Sequence, residues 1–328
     1  MPQDIEFHVP FPHRVSSDLG RARAHNINWL HGWRLVAPGE ETVRYLSFAL
    51  DLAAGMCHPQ AAGAELELGV DQLSFARHFE DSVDGALRLD PDACAAECRR
   101  FAAAVAGRPV TGPRVPLLEA FLDLWSRSRA GMSRHWRGRA ERDWTTYFMG
   151  FPATAAARRS GAPLTVERHL ELRRRTALVR PVLNLTERLS GYEIPAPVLA
   201  DDLTQRMVVI AEDVVTLISD VQTVEADEAA GEALINILLL LGRSFGCSRA
   251  AAIVIVQTMV ADLTAEFGRL RESLPELAGR LGLPGTDRHH LDLFVADGLC
   301  AVMRGTYIWG NAARPEATRL HHRRPWAT

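Results

Sequence analysis

The sequence predicts an all-α fold, a single helical bundle covering residues 1–328, and three observations carry that expectation. Apolar residues recur at helical spacing along nearly the whole chain, alternating strand patterns are almost absent, and turn signals separate long segments instead of recurring at short regular intervals. With 328 residues, 47% of them apolar, the chain can bury a large core. No stretch reads as a flexible linker and no short internal repeat is present, so one domain is the simplest organisation.

The elements follow from the breaks between them. Helices are expected at 17–36 and 41–56, ahead of a break near Pro59, then at 63–86 and 91–106. The segment GRPVTGPRVP at 107–116 interrupts the pattern, and helices at 116–133 and 136–158 lead to a second break at 160–163. A helix at 165–190 runs to the Gly and Pro residues of 191–197, followed by helices at 197–226, 229–244 and 248–280. After the turn at 282–285 a last helix is expected at 288–312.

Composition excludes some functions. The net charge of -3 does not favour a nucleic-acid surface, and the basic stretches 127–142 and 319–324 read as solvated helix faces. Five scattered cysteines, Cys57, Cys94, Cys98, Cys247 and Cys300, argue against a disulfide framework and for buried thiols in a reducing compartment. The start, MPQDIEFHVPFP, shows no signal-peptide pattern, and the longest apolar runs, 233–241 and 250–256, are too short to span a bilayer. A cytoplasmic protein without membrane insertion is expected.

Two helices carry candidate chemistry. In HFEDSVDG, Glu80 and Asp84 fall on one helical face with Asp81 beside them, so three carboxyl groups share one helix end. Such groups repel each other unless cations intervene, and hard oxygen ligands suit Mg2+, which is commonly shared with phosphate oxygens. In LISDVQTVEADE, Ser219, Thr223 and Asp227 form an i, i+4, i+8 stripe beside Asp220, offering hydroxyl and carboxylate oxygens to a cation. A solvated polar face is the alternative for either helix taken alone.

Together, EDSVD and SDVQTVEAD in an all-α chain resemble the two metal motifs of bacterial class I terpene synthases. Arg173 in HLELRRRTALVRP lies 46 positions before Ser219, as does that family's diphosphate-sensing arginine, and its surroundings resemble the family's RRxT segment. The likeness extends from FHVPFP through Trp29 and Trp33 to GTYIW at 305–309. It implies a helical bundle around a central apolar cavity, three Mg2+ ions bound with an isoprenoid diphosphate, and metal ligands at Glu80, Asp81, Asp84, Ser219, Asp220, Thr223 and Asp227. It gives Arg173 the sensor role and Thr176 and Ala177 the linker and effector positions at a helix break. Arg174 and Arg314 are further candidates for diphosphate binding, the tail from about 315 is a candidate active-site cap, and a homodimer is compatible with the family.

The chemistry so implied is ionisation of a linear isoprenoid diphosphate, farnesyl or geranylgeranyl, and cyclisation of the carbocation to a sesquiterpene or diterpene. Aromatic faces stabilise such cations by roughly 0.5 to 2 kcal/mol each, and Phe75, Phe79 and Trp309 are the candidates, with Tyr307 and Phe148 weaker. Several positions depart from the family pattern: Glu80 for Asp, Ser219 for Asn, Thr223 for Ser, Asp227 for Glu, and Ala226 and Ala230 where cations are usual. Glu225 or Glu228 is an alternative last ligand. Arg314 precedes Pro315 and Arg319 precedes Leu320, so the usual terminal Arg-Tyr pair is not intact. Arg77 falls where an aromatic residue is usual; it points outward, pairs with a carboxylate, or marks a changed reaction. Two other functions compete: a binding or partner protein that has lost ionisation, and an enzyme acting on a terpenoid without ionising a diphosphate.

Overall fold

A computed structural model describes residues 5–85, 87–229 and 235–321, with the side chains of the last helix described as far as Ala313. Helices dominate it, and no strand occurs among the described residues. In chain order they are α1 (Leu19–Gly32), α2 (Glu40–Leu46), α3 (Leu50–Cys57), α4 (Gly63–Asp84), α5 (Pro91–Val105), α6 (Pro116–Ser128), α7 (Arg134–Phe148), α8 (Phe151–Ser160) and α9 (Val166–Thr176). The second half contributes α10 (Val179–Ser190), α11 (Ala196–Ala200), α12 (Asp202–Ala229), α13 (Ile237–Phe245), α14 (Arg249–Glu272), α15 (Leu274–Arg280), α16 (Gly285–Leu293), a π-helical turn at Phe294–Leu299, and α17 (Cys300–His321).

Five of the expected helices are divided, each for a local reason. Ala49, in the left-handed region at φ 46°, separates α2 from α3. Gly150 and Pro152 make an elbow between α7 and α8, and a side chain at 150 would collide with Thr176 and Arg175 at the end of α9. Leu178, at φ 61° and ψ 0°, ends the helical path begun by α9, and α10 restarts it. Asp201, with extended backbone, separates α11 from α12, and Pro275 starts α15 after Ser273. A bulky residue held at positive φ costs of order 1–3 kcal/mol, so Leu178 stays there because its side chain is 8% exposed and packed in the core.

The core forms around α12, whose Val208, Ile210, Ala211, Val214, Val215, Leu217, Ile218, Val221 and Val224 are buried. Helices α9, α13, α14 and α17 pack around it. Helix α4 packs against α1, α3, α6 and α10, and is linked to α12 through α10, and through α3 and α17. Behind α4, Phe75, Phe79, Phe101, Phe121, Trp144 and Phe148 stack in mutual contact, with centroids 4.8 Å apart for Phe75–Phe121 and 4.9 Å for Phe79–Phe148. Such packing fixes where the carboxylate end of α4 lies, because each fully buried aromatic contributes roughly 1.5–3 kcal/mol.

The segment before α1 is an extended strap whose Phe7, Val9 and Phe11 are buried. Its carbonyls are satisfied from other helices: Gln257 Nε2 donates to Glu6 O at 2.7 Å, Thr264 Oγ1 to His8 O at 3.0 Å and Arg304 Nη1 to Val9 O at 3.1 Å. Helix α14, with a mean hydropathy of 1.5 over its most apolar 18 residues, is long and apolar enough to cross a membrane by length and composition alone. Counting unbroken apolar runs misses this. Its buried stripe, Ala252, Val256, Val260, Thr264 and Phe267, faces its helix neighbours, α12 and α13 among them, while Val254 and Ile255 remain exposed.

Candidate active site

The carboxylates of α4 each meet a donor from the protein. Tyr147 donates its hydroxyl to Glu80 Oε1 at 3.0 Å. Arg77 engages Asp81 with both limbs of its guanidinium, Nε to Oδ2 at 3.1 Å and Nη2 to Oδ1. Arg158 Nη1 donates to Asp84 Oδ1 at 2.7 Å. Burial is the largest influence on Glu80 and pushes its carboxyl up to about 7, against the pull of Arg77, Tyr147 and Arg173. Burial likewise raises Asp81, against Arg77.

On α12, Thr223 Oγ1 donates to Ser219 O at 3.1 Å and to Asp227 Oδ2 at 2.6 Å, so the expected stripe forms. Asn236, the N-cap of α13, donates Nδ2 to the same Asp227 oxygen and to Asp220 O, both at 2.7 Å. Burial raises the Asp227 carboxyl, and these two donors oppose it. Glu228 turns aside to pair with Arg249 on α14.

Asp220 does not join that stripe. Its Oδ2 lies 2.7 Å from His169 Nε2 and accepts from Ile237 N at 3.0 Å, while Oδ1 is 3.4 Å from Arg173 Nη2. Its side chain is 2% exposed. Burial works against the charge, yet Arg173, His169 and the Ile237 amide together hold the carboxyl below its ordinary value. Both oxygens have partners within the protein, and through Oδ1 Asp220 anchors Arg173.

Arg173 links the two helices. It is ion-paired to Asp220 and partly exposed, its Nε is buried without a hydrogen-bond partner, and its charge lowers the proton affinity of both Glu80 on α4 and Asp227 on α12. Its neighbour Arg174, expected to bind diphosphate, forms a two-pronged pair with Asp213 at 2.7 and 2.8 Å. Thr176 and Ala177 close α9: the Ala177 amide donates to Arg173 O at 2.8 Å and Thr176 Oγ1 to the same oxygen at 3.4 Å. The helix break expected there occurs one residue later, at Leu178.

Phe75 and Phe79 have 0% exposure in the aromatic stack, so they support α4 from behind and offer no face to a ligand. Trp309 is partly exposed and donates Nε1 to Phe48 O at 2.8 Å. The Arg77 guanidinium lies 4.8 Å above the Phe48 ring, so α17, residue 48 and the first carboxylate helix form one connected chain. The side chains of Arg314 and Arg319 and the tail after 321 lie outside the described residues. Tyr147, Arg158, His169 and Asn236 were not singled out in the sequence. Only Asn236 carried a local signal, an N-cap residue directly before the apolar run of α13.

Among the described residues no three His, Cys, Asp or Glu side chains converge into a group able to hold a metal ion. The donor set nonetheless fits a cation shared with a ligand. Glu80 is a largely buried carboxyl that burial keeps raised despite Arg77 and Arg173, and Mg2+ is usually held by one or two carboxylates together with substrate phosphates.

Known proteins resemble this chain over nearly its whole length. Residues 73–266 match the model of terpene synthase family 2, C-terminal metal binding. The chain is 37% identical over 322 residues to R-linalool synthase of Streptomyces clavuligerus, covering 97% of this chain and 95% of that one. It is 34% identical over 313 residues to pentalenene synthase of Streptomyces avermitilis, covering 94% and 92%. A solved linalool/nerolidol synthase from Streptomyces clavuligerus in complex with 2-fluorogeranyl diphosphate superposes with a TM-score of 0.82 at 36% identity, covering 94% of this chain and 99% of that one.

Proposed function

From the premise that this chain belongs to the bacterial class I terpene synthases, we propose that it ionises farnesyl diphosphate and cyclises the resulting cation to a sesquiterpene, acting in the cytoplasm as one domain over residues 1–328. The observation that carries the reading is the position of Arg173, paired to Asp220 and acting electrostatically on both carboxylate helices. Glu80, Asp81 and Asp84 on one side and Ser219, Thr223 and Asp227 on the other would hold Mg2+, three ions together with the diphosphate, which when bound neutralises the leaving group as a Lewis acid.

The residues of the chain account for the remaining work. The C–O bond of the allylic ester breaks, the electron pair leaves with the diphosphate, and Arg173 donates to the oxygens on which charge accumulates. His169 and the Ile237 amide keep Asp220 charged and in place, which orients Arg173. Tyr147 keeps the Glu80 carboxylate directed by a hydrogen bond from within the aromatic stack. The cascade ends by loss of a proton or addition of water.

A ten-carbon substrate is the second reading, favoured by the 37% identity to an R-linalool synthase. Incubation with Mg2+ and the ten-, fifteen- and twenty-carbon diphosphates, followed by mass spectrometry of an organic extract, tests both. Sesquiterpenes from the fifteen-carbon substrate support the main reading, and turnover of the ten-carbon substrate alone supports the second. No hydrocarbon or alcohol from any of the three would overturn the assignment.

A further inference from the structure

Arg77 is a cation placed at a helix end whose carboxylates would hold metal in the reading above. Both members of its pair with Asp81 remain partly exposed, at 27% and 20%, so the pair borders solvent-reached space. The guanidinium is clamped from two directions: below by the Phe48 ring, whose carbonyl is fixed by Trp309, and in its own plane by both Asp81 oxygens. Its charge also reaches Glu80. On α12, positions 226 and 227 read Ala-Asp, and among the described residues the hydrogen-bond partners of the Asp227 carboxylate, Thr223 and Asn236, are uncharged.

We propose that Arg77 gates metal entry: it keeps Asp81 closed to a free divalent cation and releases it only when a diphosphate offers the guanidinium a new partner. This inference rests on the diphosphate reading above and makes Arg77 a positioning residue acting through Asp81.

The physical case is a competition for lone pairs. A two-pronged guanidinium pair occupies both Asp81 oxygens with directed, charge-assisted hydrogen bonds. Mg2+ sheds water reluctantly, so exchanging hydration for an already neutralised carboxylate gains it little. A diphosphate changes the balance, because it adds oxygens for the metal and a planar acceptor for the displaced guanidinium. Metal and diphosphate then bind with positive coupling, for which about 5- to 150-fold is typical.

Binding of Mn2+, followed by its electron spin resonance signal, separates this gate from a mere buttress. Titrations are run with and without inorganic pyrophosphate on the wild type, Arg77→Gln and Arg77→Lys, each checked for helical content. Wild type should bind Mn2+ weakly alone and at least about tenfold more tightly with pyrophosphate. Arg77→Gln should bind Mn2+ alone about tenfold more tightly than wild type and lose most of the coupling. Arg77→Lys, which keeps the charge without the fork, should fall between and serves if the Gln variant does not fold. Wild-type behaviour in both variants overturns the gate while leaving the diphosphate reading intact. Absence of Mn2+ binding even with pyrophosphate in every protein overturns both.

Discussion

The Nδ2 of Asn236 stands 2.7 Å from the main-chain oxygen of Asp220 and 2.7 Å from Oδ2 of Asp227, so one buried amide joins the start of α13 to two turns of α12. Its Oδ1 meanwhile accepts from Leu238 N at 3.0 Å. Asn236→Ala should lose the cap and strand two acceptors, costing about 2–3 kcal/mol in urea unfolding. Asn236→Asp keeps the cap but sets a carboxylate against Asp227, and turnover should fall further than stability does. Parental turnover in Asn236→Asp would show that the orientation of Asp227 is irrelevant to the reaction.

Tyr147→Phe keeps the ring in its stack, 5.5 Å from Phe148 and 5.2 Å from Phe151, and removes only the donor to Glu80. That hydrogen bond favours the ionised carboxyl, so its loss moves the proton affinity of Glu80 further above about 7. The acid limb of kcat/KM, which reports free-enzyme ionisations, should therefore shift to higher pH, with unfolding affected by about 1 kcal/mol. An unmoved acid limb would remove Glu80 from the set of ionising ligands.

Arg173→Lys keeps a positive charge but not the planar fork. A drop in kcat of roughly 100- to 1,000-fold, with unchanged circular dichroism, is expected from loss of a donor aimed at developing charge. If KM rises and kcat holds, Arg173 binds the ground state only.

His58 gives a pH dependence separate from the site. Its ring is 2% exposed, Nδ1 faces Thr186 Oγ1 at 3.1 Å, and burial lowers its proton affinity to about 4 from 6.5. Between those values the unfolded chain binds the proton and the folded one does not. The neutral ring's contribution is therefore complete above 6.5 and is lost as pH falls towards 4, by about 3 kcal/mol at 1.36 kcal/mol per unit. His58→Gln should flatten that segment of a stability profile measured by urea denaturation at several pH values; an equally steep profile would assign the acid loss to other groups.

The sequence made the helical class, most helix positions and the stripe of Ser219, Thr223 and Asp227 legible, because these depend on spacing within one element. It did not show the partners. Tyr147 is 67 residues from Glu80 and His169 is 51 from Asp220, so each pair meets only through tertiary packing, of the α7 end against the α4 end in the first case and of α9 on α12 in the second. Position alone also did not show the surroundings of Asp220, Arg174, Phe75 and Phe79, each of which faces inward or towards another helix. The break at Leu178 was visible only by family likeness, since leucine is not a residue that announces positive φ.

Arg77 and Arg158 as counter-ions, and Tyr147 as a neutral donor, mean that the acidic end of α4 brings its own partners into the folded state. Folding then does not wait for metal, unlike a zinc finger, whose ligands repel or scatter until the ion arrives. Exhaustive treatment with a chelator should leave the thermal midpoint within about 2 °C of the untreated protein while halting turnover, the smaller shifts being what a fraction of a kcal/mol produces in a chain of this size. A midpoint that holds would make the cation a co-substrate in practice, one that a newly made chain does not need in order to be complete.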